Sequence, residues 1–161
     1  MSGLNLNLQM AQEAIGFVQR NLPRGAGNRP DGSPDAAACV TFLRSTMLST
    51  DNFIPHLARR ALQNGCGNCG EQAAVAYMFL LQRGCQPLDY MNLYNPGGQA
   101  VHSFVVVDFA ASGEGQSSTW GKDAVVCDPW DDAQAYPAWQ IGQKMSLYAP
   151  GSTVRSLFRA G

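Results

Sequence analysis

Three side chains stand out for the chemistry they could do together. Cys69 lies in the run Gly67-Asn68-Cys69-Gly70-Glu71, where a glycine-bearing turn meets a long apolar stretch. A thiol nucleophile needs an activated sulfur, a base beside it and a group that orients the base. At a helix start, unpaired backbone N–H groups and the positive end of the dipole favour a thiolate. The same N–H groups can hold the oxyanion of a tetrahedral intermediate, and flanking glycines admit a close-approaching substrate. His102 sits near the start of Ala100–Val107, AVHSFVVV, and Asp128 sits near the end of Ala124–Trp130, AVVCDPW. If those runs are adjacent antiparallel strands, Asp128 comes beside His102, where a carboxylate fixes the imidazole tautomer and stabilises its charged form. Should Asp128 lie elsewhere, Asp108, Asp131 and Asp132 are the next carboxylates to consider.

Each residue also has a plainer reading. A cysteine at a helix start is commonly a small buried side chain, and an Asp-Pro pair at a strand end commonly starts a turn. It is the chain order Cys, His, Asp, each at the end of an element, that favours a catalytic triad. For the second oxyanion donor, Gln63, Asn64 and Asn68 are open alternatives, and Asn68 could equally cap the helix. Glu71 suits the first turn of a helix electrostatically. Trp120, Trp130 and Trp139 could line a substrate rim or pack in the core, with Trp130 the one closest to the candidate site in sequence. Cys66 and Cys69 form a Cys-x-x-Cys. A thioredoxin-like role would require a preceding strand, and a helical stretch precedes it instead. The same pair could close a disulfide that caps the nucleophile reversibly. His56 lies beside Arg59 and Arg60 and is expected at the surface. No second pair of ligands at metal spacing accompanies the cysteines, so neither a metal nor a cofactor is expected.

Helices and then strands must position these groups. Leu8, Ala11, Ile15, Val18 and Leu22 make one helical stripe that Pro23 ends. The loop from 23 to 33 is rich in Gly and Pro and is the stretch expected to be least ordered. Ser33-Pro34-Asp35 predicts a second helix start, with Cys39, Phe42, Leu43 and Met47 facing inward. Thr50-Asp51 could cap a third helix through Ile54, Leu57, Ala58 and Leu62. A fourth helix from Cys69 to about Arg83 is apolar almost all round, as a buried central helix is. Leu88–Tyr94, Ala100–Phe109 and Ala124–Asp128 read as strands. A short helix near Ala138–Gln143 and a last strand near Val154–Phe158 follow. Helices followed by strands imply a single α+β domain, with a central helix packed on an antiparallel sheet.

Composition narrows the possibilities further. The chain has 161 residues, enough for one domain that buries roughly 70% of its unfolded surface. Charged residues make up only 14%, which disfavours disorder. The net charge of −1 offers no basic excess to track a phosphate backbone, so a nucleic-acid partner is not expected. The longest apolar run, Ala73–Leu81, is nine residues, too short to span a bilayer. Its N-terminal sequence has no basic segment followed by an apolar one, so a cleaved Sec signal is not expected. Five cysteines, an odd and low count, suggest a reduced setting without a disulfide framework.

The runs GNCGEQAAVAYMFLL, HSFVVVDF and VVCDPWDDAQAYPA resemble the papain-like, transglutaminase-type thiol enzymes. Within them they are most similar to the bacterial toxin and effector branch that includes the dermonecrotic toxin of Pasteurella. The resemblance covers about residues 60 to 140. It implies a papain-like fold over one domain and a triad of Cys69, His102 and Asp128. It also implies deamidation of a glutamine on a host protein, such as a GTPase or another signalling protein. Cleavage of a peptide bond, as by a cysteine protease or a peptidoglycan amidase, is the alternative within the same chemistry. A silent binding module that keeps the fold is the alternative outside it. For an effector, the implied route is synthesis in a bacterial cytoplasm and export by a specialised system.

Overall fold

A computed structural model describes residues 3–29, 31–45, 53–110 and 119–161. Met47, the Thr50-Asp51 cap and most of the polar loop before Trp120 lie outside the described residues. Within them the chain is mixed α+β, with the helices first and an antiparallel five-stranded sheet after.

Four helices precede the sheet: α1 (Gly3–Asn21), α2 (Pro34–Ser45), α3 (Phe53–Asn64) and α4 (Cys69–Gln82). The α1 stripe is buried at Ala11, Ala14, Ile15 and Val18, as the three-and-four spacing requires. Ser33 starts α2 by accepting the Ala36 N–H on its hydroxyl, at 3.0 Å. Two side chains expected inside are not: Phe42 and Leu62 are exposed, because α2 and α3 bury only the neighbouring Cys39, Val40 and Leu43, and Ile54, Leu57, Ala58 and Ala61. His56, expected outside, is buried; its ring falls within the wide apolar face of α3, and its Nδ1 meets the Arg59 guanidinium at 3.2 Å. Helix α4 is buried along most of its length, from Glu71 to Tyr77 and again at Leu80.

The strands are β1 (Leu88–Tyr94), β2 (Ala100–Val107), β3 (Val125–Cys127), β4 (Tyr136–Pro137) and β5 (Thr153–Ala160). Their order in the sheet is β4-β3-β2-β1-β5. A short 3₁₀ turn (Ala138–Gln140) runs into α5 (Ile141–Lys144), where a single short helix is expected. Period-two alternation divides the sheet's side chains between two cores. Leu88, Tyr90, Val105, Val107, Val125 and Cys127 join the helices in one. Met91, Leu93, Phe104, Val106 and Val126 meet Trp120, Tyr136, Ile141 and Met145 in the other. Among the described residues no helix is long and apolar enough to cross a membrane.

The glycine-rich loop before α2 is tied down rather than loose. Arg24 donates its backbone N–H to Gly65, and Gly67 donates its own to Gly25, at 2.9 and 3.1 Å. The Arg24 guanidinium forms a two-pronged bond with Asp35. The cysteines also depart from expectation. Cys39 and Cys66 form a disulfide, with Cα atoms 6.3 Å apart, that joins α2 to the turn before α4. Cys66 is therefore not available to Cys69, and both the dithiol redox pair and the Cys66–Cys69 cap are corrected. Spacing along the chain carries no trace of this pairing, because packing of α2 against the turn creates it.

Candidate active site

Cys69 is the first residue of α4, with Asn68 at the N-cap in an extended conformation. The helix starts there because Gly65, at φ 74°, and Gly67 let the chain turn sharply after α3. Gly67 is also required by packing: a Cβ there would stand 2.6 Å from the Glu71 Cβ. The sulfur is partly exposed and carries no disulfide. The first N–H groups of a helix have no intrahelical acceptor; in α4 the first bond back is from the Gln72 N–H to the Asn68 carbonyl, at 2.9 Å.

His102 pairs with Leu93 across β1 and β2. Val105 pairs with Cys127, so Asp128, one residue on, falls diagonal to His102 across β2 and β3. The His102 Nε2 and Asp128 Oδ2 are 2.6 Å apart, and both side chains are fully buried. Burial alone would lower the imidazole pKa. Attraction and hydrogen bonding to Asp128, followed by the interaction with Cys69, outweigh it and push the value up to about 10. Burial raises the Asp128 carboxyl, and the His102 charge and hydrogen bond oppose that rise. Asp128 therefore engages Nε2, which leaves Nδ1 as the nitrogen for Cys69. Nδ1 is buried and makes no hydrogen bond of normal geometry among the described residues. Asp131 and Asp132 are engaged elsewhere, by Ser146 and by Gln134, and Asp108 accepts from Asn7.

Trp130 shields this pair. Its ring lies 5.0 Å from that of His102, between centroids, and is itself buried. Its indole N–H donates to the Asn28 side chain at 2.6 Å, and Arg29 donates to its carbonyl and lies over its ring. Asn68 does not cap α4 with its side chain. Its Oδ1 accepts from the Gly27 and Asn28 N–H groups, at 2.8 and 3.2 Å. One loop thereby links Asn68, the residue before Cys69, to the Trp130 ring beside His102. Of the other expected oxyanion donors, Gln63 is exposed on α3 beside Arg60, and Asn64 bonds back to the Arg60 carbonyl. Neither is brought to the site. Trp120 is wholly buried against Phe109, and Trp139 is exposed.

A second set of residues escapes a reading of the sequence. Glu71 is buried and takes a two-pronged bond from Arg44, at 2.7 and 2.9 Å. Tyr90 donates its hydroxyl to the Gly70 carbonyl at 3.1 Å, and burial drives its pKa up to about 12, so it stays a donor. Ser103, on the strand that bears His102, donates to Asn92 at 2.8 Å. The first two fasten the head of α4 to α2 and to β1, and the third joins β2 to β1. They span separations of 11 to 27 residues with no motif to announce them.

No family model matches this chain, and neither a curated protein nor a solved structure is significantly similar to it.

Proposed function

We propose that this chain is a thiol hydrolase of papain-like type that acts on a protein amide through Cys69, His102 and Asp128. The observation that carries the proposal is the buried His102–Asp128 pair at 2.6 Å, with the other imidazole nitrogen left for a cysteine at the head of a buried helix. The reaction we favour is deamidation of a glutamine side chain, in keeping with the resemblance of the three motifs to bacterial effector enzymes. A host protein, such as a GTPase or another signalling protein, is the proposed class of substrate.

Each group has a defined part. The Cys69 thiolate attacks the carboxamide carbon, and the first-turn N–H groups of α4, that of Cys69 first, stabilise the oxyanion. His102, as imidazolium, gives its proton to the departing nitrogen, and ammonia leaves a thioester behind. The now neutral imidazole takes a proton from water, whose oxygen attacks the thioester and releases a carboxylate. Asp128 holds the ring and stabilises its charged state throughout. Trp130 keeps water from the His102–Asp128 bond, so that bond acts in a low dielectric.

Intact-mass spectrometry of candidate substrates tests the proposal. Deamidation adds about one mass unit per site and releases ammonia, whereas proteolysis splits the chain. Both must vanish in Cys69→Ala. A substrate that binds tightly without a change of mass would favour a binding module instead.

A further inference from the structure

Immediately beside the nucleophile lies a cavity of about 330 Å³. Gly70, the residue after Cys69, forms part of its rim, with Leu57 and Phe53 of α3 on one side and Leu157 of β5 on another. Resting on the thiol-hydrolase reading, we infer that the cavity receives a large aliphatic or aromatic side chain next to the attacked amide in the substrate.

The local chemistry selects for such a side chain. The polar groups on the floor are bonded to one another: Arg44 to Glu71, Ser103 to Asn92, and Tyr90 to the Gly70 carbonyl. Arg44 and Glu71 cancel in charge, so no net charge is left to attract an ionic group. The walls are apolar, and they are built by an irregularity of the sheet. Tyr90 pairs with Phe158 and Met91 with Ser156, so Leu157 is the extra residue of a β-bulge. The bulge lets Leu157 line the cavity while Phe158 stacks on Phe53, 5.6 Å between centroids. Phe53 and Leu157, which line the cavity, are 42% and 44% exposed. Two uncovered apolar side chains lining a cavity next to a nucleophile, with Phe158 stacked behind one of them, mark a contact surface rather than scattered surface residues.

The test uses acetylated tripeptides whose central residue is a diazoketone surrogate of glutamine, flanked in turn by leucine, phenylalanine, glycine or aspartate on either side. Alkylation of Cys69 in the full chain is followed by intact mass, and each rate is divided by the iodoacetamide rate of the same protein. Leucine or phenylalanine on one side should accelerate the reaction about tenfold or more over glycine and aspartate. Leu157→Asp, at an exposed position, should remove that preference. If Cys69 takes iodoacetamide but the four peptides react alike, or the aspartate peptide reacts fastest, the cavity has another role while the thiol reading survives. If leucine and phenylalanine accelerate equally in Leu157→Asp, the cavity is not what selects them. If Cys69 reacts with neither reagent, the thiol reading falls and the inference with it.

Discussion

At the scale of single residues, the five cysteines should behave in distinct ways. Cys39 and Cys66 are bonded to each other. Burial pushes up the thiols of Cys85 and Cys127, and Cys127 is fully enclosed. Cys69 alone combines partial exposure with an imidazole partner. It should therefore be alkylated first by iodoacetamide at neutral pH, as peptide mapping would show; prior labelling of Cys85 would contradict the assignment. Removing His102 or Asp128 should lower turnover by about 100-fold or more, and the double variant should lose little beyond either single one, because the three groups act as a unit. Asp128→Ala also leaves a buried imidazole N–H without its acceptor, so it should cost about 1 to 3 kcal/mol in a denaturant titration. The pH dependence follows from the same pair. The folded chain keeps the His102 proton up to about 10, whereas an ordinary imidazole loses it near 6.5. Between those values the folded state binds more protons than the unfolded one, so this pair's contribution is full below 6.5 and fades as pH rises toward 10. In Asp128→Asn, where burial is left to lower the imidazole pKa, the fall between 6.5 and 10 should disappear, as unfolding midpoints across the range would record.

At the scale of elements, the site depends on how tightly the turn from Gly65 to Asn68 delivers Cys69 to the head of α4. A methyl group at Gly67 would press on the Cβ of Glu71 at 2.6 Å, a buried carboxylate side chain held in place by Arg44. Gly67→Ala should lower stability by about 1 to 3 kcal/mol. At Gly70 the nearest atom to an added Cβ is the Tyr90 hydroxyl at 3.5 Å, an ordinary contact. Gly70→Ala should be neutral or slightly stabilising, since alanine suits a helix better. Urea midpoints of the two variants make the comparison, and equal losses would mean that the turn, not the contact with Glu71, governs. Much of this level was legible in the sequence. The apolar α4, the strands β1 to β3 and the pairing of His102 with Asp128 follow from periodicity, turn residues and chain order. The strand β4 was not, because two residues have no period. Nor were the inward turn of His56 and the outward turn of Phe42, which depend on where neighbouring helices lie.

At the scale of the whole molecule, two ties hold the helical half to the site, and neither is written in local sequence. One is polar: Asn68, Asn28 and Trp130 connect residues 40 and 102 positions apart. The other is covalent. The Cys39–Cys66 bond closes a separation of 27 residues that contains all of α3. Cross-linking a loop of that length restricts the unfolded chain by about 3 to 4 kcal/mol on the chain-entropy account. The odd cysteine count, which argued for a reduced protein, is thus composed of one bridge, two partly exposed thiols, Cys69 and Cys85, and one enclosed thiol, Cys127. Oxidation should not link Cys66 to Cys69, because Cys66 is already engaged with a partner across a packed interface. A non-reduced digest should yield a Cys39–Cys66 linked peptide together with Cys69 in alkylated form. The variant with both Cys39 and Cys66 replaced by alanine should unfold at lower urea, with a loss near that 3 to 4 kcal/mol, and added thiol should lower the wild type toward it while leaving the variant where it stands. Were thiol to lower both alike, the bond would not be the source of the stability. A linked Cys66–Cys69 peptide would overturn the pairing and restore the cap on the nucleophile.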